Sequence, residues 1–91
     1  MERPLPDVGM VVMSRAGRDA GRYFVVLQKL DENYVWIVDG DIHKIDHPKK
    51  KKIKHLDPKP VTLPQIKLKL AEGQSVYDFE IRMELEALGY K

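Results

Sequence analysis

The stretch that most constrains this chain runs from residue 9 to residue 27, Gly-Met-Val-Val-Met-Ser-Arg-Ala-Gly-Arg-Asp-Ala-Gly-Arg-Tyr-Phe-Val-Val-Leu. Two apolar runs, residues 10–13 and 23–27, flank a short polar segment with two glycines and three arginines, Arg15, Arg18 and Arg22. β-Branched and aromatic residues suit a pleated, half-buried surface. Glycine and aspartate suit the turn between two such runs. The pattern therefore predicts strand, tight basic loop, strand. A loop this short cannot bury three guanidinium groups, so they point outward from a rigid base.

The rest of the chain extends that pattern. Residues 8–14 read as a first strand with apolar side chains on both faces, as expected of a small barrel with something packed outside it. Residues 22–30 read as a second strand, and Asp31-Glu32-Asn33 as a turn. Tyr34-Val35-Trp36-Ile37-Val38 is a third strand, followed by the hairpin signal Asp39-Gly40. Residues 42–46 are expected as a short fourth strand, stopped by Pro48, and residues 52–56 as the closing one. The fold class predicted is mainly β: a small five-stranded barrel with a C-terminal helix.

Asp57-Pro58-Lys59-Pro60 reads as a linker, because proline favours extended backbone and cannot continue a helix. Residues 61–74 fit either a period of two or a helix, with a lean toward a helical or irregular segment that Gly73 ends. Ser75 is placed as the N-cap of a helix that ends at Gly89. On that helix Val76, Phe79, Met83 and Ala87 share one face, and Tyr77, Ile81, Leu85 and Leu88 another. Two apolar stripes exceed what one small barrel covers, so an upstream segment or a partner should cover the second. The organisation expected is a lead-in over 1–7, a barrel over 8–57, a linker with a short irregular or helical segment over 58–74 and a helix over 75–89.

Composition narrows the function. A chain of 91 residues suggests one domain. It has no cysteine, which excludes disulfides and thiolate metal sites. No apolar leader or membrane-length apolar run is present, so a cytoplasmic protein with no membrane partner is expected. Net charge is only +2, but it is unevenly spread. Residues 43–59 hold seven lysines and two aspartates; residues 71–91 hold five acids and two bases. A basic middle implies a surface that faces a polyanion. Arg15, Arg18 and Arg22 carry planar donor forks suited to phosphate. Lys49, Lys50, Lys51, Lys52 and Lys54 repel one another unless a polyanion neutralises them, and Lys44 and His55 extend the track. A solvated loop or a basic import signal would also account for the lysine run. Trp36 reads as core, and Tyr23 and Tyr34 as either core or stacking residues. His43, His47 and His55 lack metal-site spacing, and no nucleotide loop or nucleophile motif appears. No enzyme activity, cofactor, metal or small-molecule substrate is therefore expected.

The same segment resembles the KOW motif, which opens an SH3-like barrel in ribosomal and transcription-elongation proteins. Gly21 stands at the motif's central glycine, and Ser14-Arg15-Ala16-Gly17-Arg18-Asp19 at its basic loop. Val38-Asp39-Gly40-Asp41 and the lysine block 49–54 extend the match to residues 8–56. The chain is similar to archaeal and eukaryotic-type large-subunit ribosomal proteins of this barrel type. The resemblance implies an RNA-binding, ribosome-associated protein whose contacts include Ser14 and Gly17 beside the arginines and lysines. Its partners would be ribosomal RNA and a neighbouring ribosomal protein. The alternative is an SH3-like protein-interaction module that uses the apolar C-terminal helix. Whether the role is that of a subunit or an assembly factor is left open by the sequence.

Overall fold

The computed structural model describes residues 5–90. Part of the expected lead-in, residues 1–4, lies outside the described residues. Five antiparallel strands form one sheet: β1 (Met10–Ser14), β2 (Tyr23–Lys29), β3 (Tyr34–Val38), β4 (Lys49–Lys52) and β5 (Leu56–Thr62), in the order β4-β3-β2-β1-β5. A single 3-10 turn, Ile53–His55, joins the two outermost strands. Two register shifts, at Met10/Val12 and Val26/Gln28, bend the sheet into a barrel-like curl.

Both faces of the sheet are apolar because strand side chains alternate. Val12 pairs with Phe24 and Val26 with Ile37. These four join Val35 and Leu56 in the buried inner cluster. Val11 pairs with Val25 and Val25 with Val38 on the opposite face. That outer face is covered by two helices, α1 (Pro64–Ala71) and α2 (Asp78–Ala87), through Leu63, Ile66, Val76, Ile81 and Leu85. The two-faced β1 predicted from sequence is thus explained: a barrel interior on one side, helices on the other.

Four expectations need correction. Residues 42–46 are not a strand. The Asp39 carboxylate accepts the Asp41 and His43 amides at 3.0 and 2.9 Å, and this local turn replaces a ladder. The fourth strand is instead the tetralysine. Its backbone pairs with the whole of Tyr34–Ile37, and the aliphatic stems of lysine can line a sheet while the ammonium groups reach water. The closing strand is not 52–56, which is mostly the 3-10 turn, but Leu56–Thr62. The supposed linker and the barrel boundary at 57 fall inside it. β5 pairs only with β1, and an edge strand tolerates Pro58 and Pro60. Finally, α2 starts at Asp78, three residues after Ser75. Glu80 accepts the Tyr77 amide at 3.2 Å, so Tyr77 takes the N-cap position.

The ambiguous 61–74 segment resolves as α1, with Pro64 in its first turn. Both helices end as the glycines predict. Gly73 and Gln74 donate to Leu70 and Lys69, and Gly89 and Tyr90 donate to Glu86 and Leu85. This is the double hydrogen bond of a Schellman end. Tyr90 is thereby turned back onto Tyr23, ring centroids 4.7 Å apart. Lys69 joins α1 to α2 by donating to Glu80 at 2.6 Å, a bond that holds the Glu80 carboxyl below its ordinary range. Of the two stripes expected on the last helix, Ile81 and Leu85 from one and Val76 from the other are core, while Tyr77 and Leu88 are exposed. Phe79 and Met83 remain 52% and 65% exposed.

Candidate nucleic-acid interface

The loop between β1 and β2 is rigid because it is bonded on every side. Gly21 donates its amide to the Ser14 carbonyl at 2.8 Å, and Ser14 donates to the Arg22 carbonyl at 2.9 Å, which closes its neck. Arg15 donates its amide to the His55 carbonyl at 2.8 Å. His43 Nε2 lies 3.1 Å from the Asp19 carboxylate, so the 39–47 loop braces the far side. Lys51 Nζ donates to the Ala16 carbonyl at 2.9 Å. The last bond matters most. It ties the middle of the lysine strand to the middle of the arginine loop, across 35 positions of sequence.

Two predicted contacts become internal supports. Ser14 is fully buried, at the inward-facing end of β1, and its hydroxyl donates to Ala16 at 3.1 Å. Lys51 pairs with Val35 on the inner face and is 8% exposed. Strand alternation places both on the inner side: Lys51, opposite the buried Val35, is the one lysine of β4 that is buried. Neither side chain offers its polar group to a partner.

The remaining cations divide. Arg15, Lys52 and Lys54 gather around His55. Partial desolvation, and then the positive charges of Lys54, Lys51, Lys52 and Arg15, push the His55 imidazole below its ordinary value. Arg18 is exposed in the loop, with exposed Gly17 beside it. Lys49 and Lys50 continue the row along β4, both exposed. Arg22 does not join them. It lines a cavity of about 760 Å³ with Asp39, Asp41, Phe79, Arg82 and Met83, on the α2 side. Lys44 is exposed on the 39–47 loop rather than on the lysine strand. The gathered group is thus Arg15, Lys52 and Lys54 around His55, with Arg18, Lys49 and Lys50 exposed on the loop and strand that Lys51 ties together.

Trp36, expected in the core, and Tyr34, expected as core or stacking, are both only partly buried and stand beside the lysine strand. Tyr34 and Trp36 pair across the β3–β4 ladder with Lys52 and Lys50. Lys50 Nζ stands 4.7 Å and Lys52 Nζ 5.9 Å from the Tyr34 ring centroid. These are cation–π distances. The signal was the alternation of Tyr34 and Trp36 with Val35 and Ile37. It was hidden because the partner strand was read as a loop.

The His55 environment gives a pH prediction. Its pKa is lower in the folded chain than in the unfolded one, so protonation disfavours folding. The corresponding stability is fully present above the unfolded value of about 6.5 and is lost as pH falls through the lowered folded value. Thermal unfolding between pH 7.5 and 5.5, with His55→Gln as control, checks this. A stability with the same pH dependence in both proteins contradicts it.

No protein-family model matches the chain. The chain is 31% identical over 83 residues to large ribosomal subunit protein eL14 of Methanococcus vannielii, which covers 91% of this chain and 92% of that protein. It is 36% identical over 83 residues to large ribosomal subunit protein eL14 of Pyrobaculum calidifontis, covering 91% of this chain and 74% of that one. Among the described residues no helix is long and apolar enough to cross a membrane.

Proposed function

The chain belongs to the eL14 family of large ribosomal subunit proteins, and from that premise we propose that it meets ribosomal RNA through the Arg15–Lys52–Lys54–His55 patch and its extension along β4. Association with the ribosome and with RNA follows from the family. The assignment of the contacting surface is carried by one observation, the bond from Lys51 to the Ala16 carbonyl. That bond holds two basic segments together that would otherwise repel. A polyanion relieves the repulsion, and each neutralised phosphate releases a counterion. A rigid loop loses little conformational freedom on binding, which favours affinity. Backbone and shape recognition fits this chemistry, since phosphate contacts position a protein without reading sequence.

The test is a salt series. Filter binding of the protein to purified large-subunit ribosomal RNA, with potassium chloride raised stepwise, yields the slope of log affinity against log salt. Six cations in contact, Arg15, Arg18, Lys49, Lys50, Lys52 and Lys54, predict a slope of about −4 to −5. A slope near zero contradicts the proposal. No catalytic step is part of this reading; the residues act by charge, position and shape.

A further inference from the structure

We propose that the outer face of β3, where Trp36 and Tyr34 stand between Lys50 and Lys52, is a stacking platform for an unpaired base of bound RNA. This rests on the RNA-binding reading above and names a second kind of contact within it. Tyr34, Trp36 and Val38 share one face of β3. Val38 is buried in the cluster beneath the helices. The helical cover ends there, and Trp36 and Tyr34 are only partly buried. Trp36 is the only tryptophan in the chain, yet it belongs to neither core cluster. Its side chain is partly buried and keeps part of its surface within reach of a partner.

The surroundings specify the occupant. On one side Trp36 is flanked by exposed Gln28, on the other by exposed Lys50. Among the described residues no ring or cation is placed over Trp36, whereas two ammonium groups crowd Tyr34. A partly exposed indole beside Lys50, with Lys52 beside the neighbouring Tyr34, matches a nucleotide: the base on the ring, its phosphates on Lys50 and Lys52. The same lysines continue through Lys52 and Lys54 into the phosphate-facing patch. A paired strand could run over that patch while one extruded base reaches Trp36. Fully paired RNA has no free base face to offer.

The experiment uses the fluorescence of Trp36. The full chain is titrated with a ten-nucleotide oligoadenylate, with an abasic RNA strand of equal length, and with a paired RNA duplex. Saturating oligoadenylate is expected to quench Trp36 emission, while abasic strand and duplex bind with little quenching. Trp36→Ala is expected to lower affinity for oligoadenylate about tenfold and leave duplex affinity unchanged. Trp36→Phe, which keeps a ring and preserves the sheet, should retain most of the affinity. Equal losses for oligoadenylate and duplex in Trp36→Ala, with Trp36→Phe also weak, would mean a structural role and overturn the platform. Quenching by abasic strand equal to that by oligoadenylate overturns it as well. So does quenching by a proline-rich peptide with none by RNA. If the duplex binds with a steep salt slope and Trp36 proves silent, only the platform fails. If neither RNA binds, the parent reading fails with it.

Discussion

Replacing Arg15, Lys52 and Lys54 together by glutamate lowers affinity for large-subunit ribosomal RNA about a thousandfold at physiological salt. A hydrogen bond to a charged group contributes about 1.5–3 kcal/mol. Exposure and salt screening place each of these near the bottom of that range. Three such contacts amount to about 4 kcal/mol, and 1.4 kcal/mol is a factor of ten. The salt slope should shrink by about three in the same variant. Arg15 and Lys54 are exposed and Lys52 is only partly buried, so the melting temperature should hold within a few degrees. The control reverses Lys67 on α1, which also carries positive charge and pairs with Asp7 at 3.7 Å. Its affinity should stay within about threefold of the parent. Equal losses in both triple and control would mean that net charge, rather than the patch, sets binding.

The largest effect on stability is expected at Gly40. This residue sits at φ 77° in the turn after β3, under the N-terminal turn of α2. A methyl group at its Cα would overlap the Asp78 carbonyl oxygen and lie 3.1 Å from Arg82 Cγ. The same turn is where α2 is fastened. Arg82 donates to the Gly40 carbonyl at 2.5 Å, and Ile45 donates its amide to the Asp78 carboxylate at 2.8 Å. Gly40→Ala therefore adds left-handed strain of about 1–2 kcal/mol and a steric overlap of about 1–3 kcal/mol. Thermal or urea unfolding should show a loss of about 3 kcal/mol, or roughly 12–24 °C in a domain of this size. Gly73→Ala separates the two contributions. Its φ is 70°, but nothing lies near the added carbon, so it should lose only the strain, about 1–2 kcal/mol. Equal losses at the two positions would mean that α2 does not seat on this turn.

These expectations show which parts of the molecule were readable from residues alone. β3 has the bounds its composition suggests, because five consecutive β-branched and aromatic residues leave no competing conformation. The helix ends were legible because a glycine after an apolar-periodic run has few other uses. The lysine strand was not legible. Four like charges argue for a loop, and only the opposite strand reveals that Lys51 is absorbed beside Val35 while the others stay at the surface. The 42–46 segment misled in the other direction. Ile42 and Ile45 suggest a strand, but the Asp39 side chain takes the amides a ladder would use. Proline in β5 also argues against a strand unless the strand is known to be an edge.

The interface divides the same way. Charge composition pointed to Arg15, Lys52 and Lys54, and the structure gathers these three around His55. Ser14 and Lys51 were named for contact, yet both hold the loop from within. Sequence could not separate the two roles, because burial depends on register. Arg22 was grouped with its neighbours by proximity in the chain, but the neck of the loop turns it toward α2.

The central claim is that the arginine loop and the lysine strand present one RNA-facing surface. Amide chemical shifts of the labelled protein, followed while a large-subunit ribosomal RNA fragment is added, test it most directly. Residues 15–18 and 49–55 should shift together, at one common RNA concentration, while Leu68 on α1 and Met83 on α2 stay still. Shifts confined to one of the two segments, or a larger response along α2, would contradict the account.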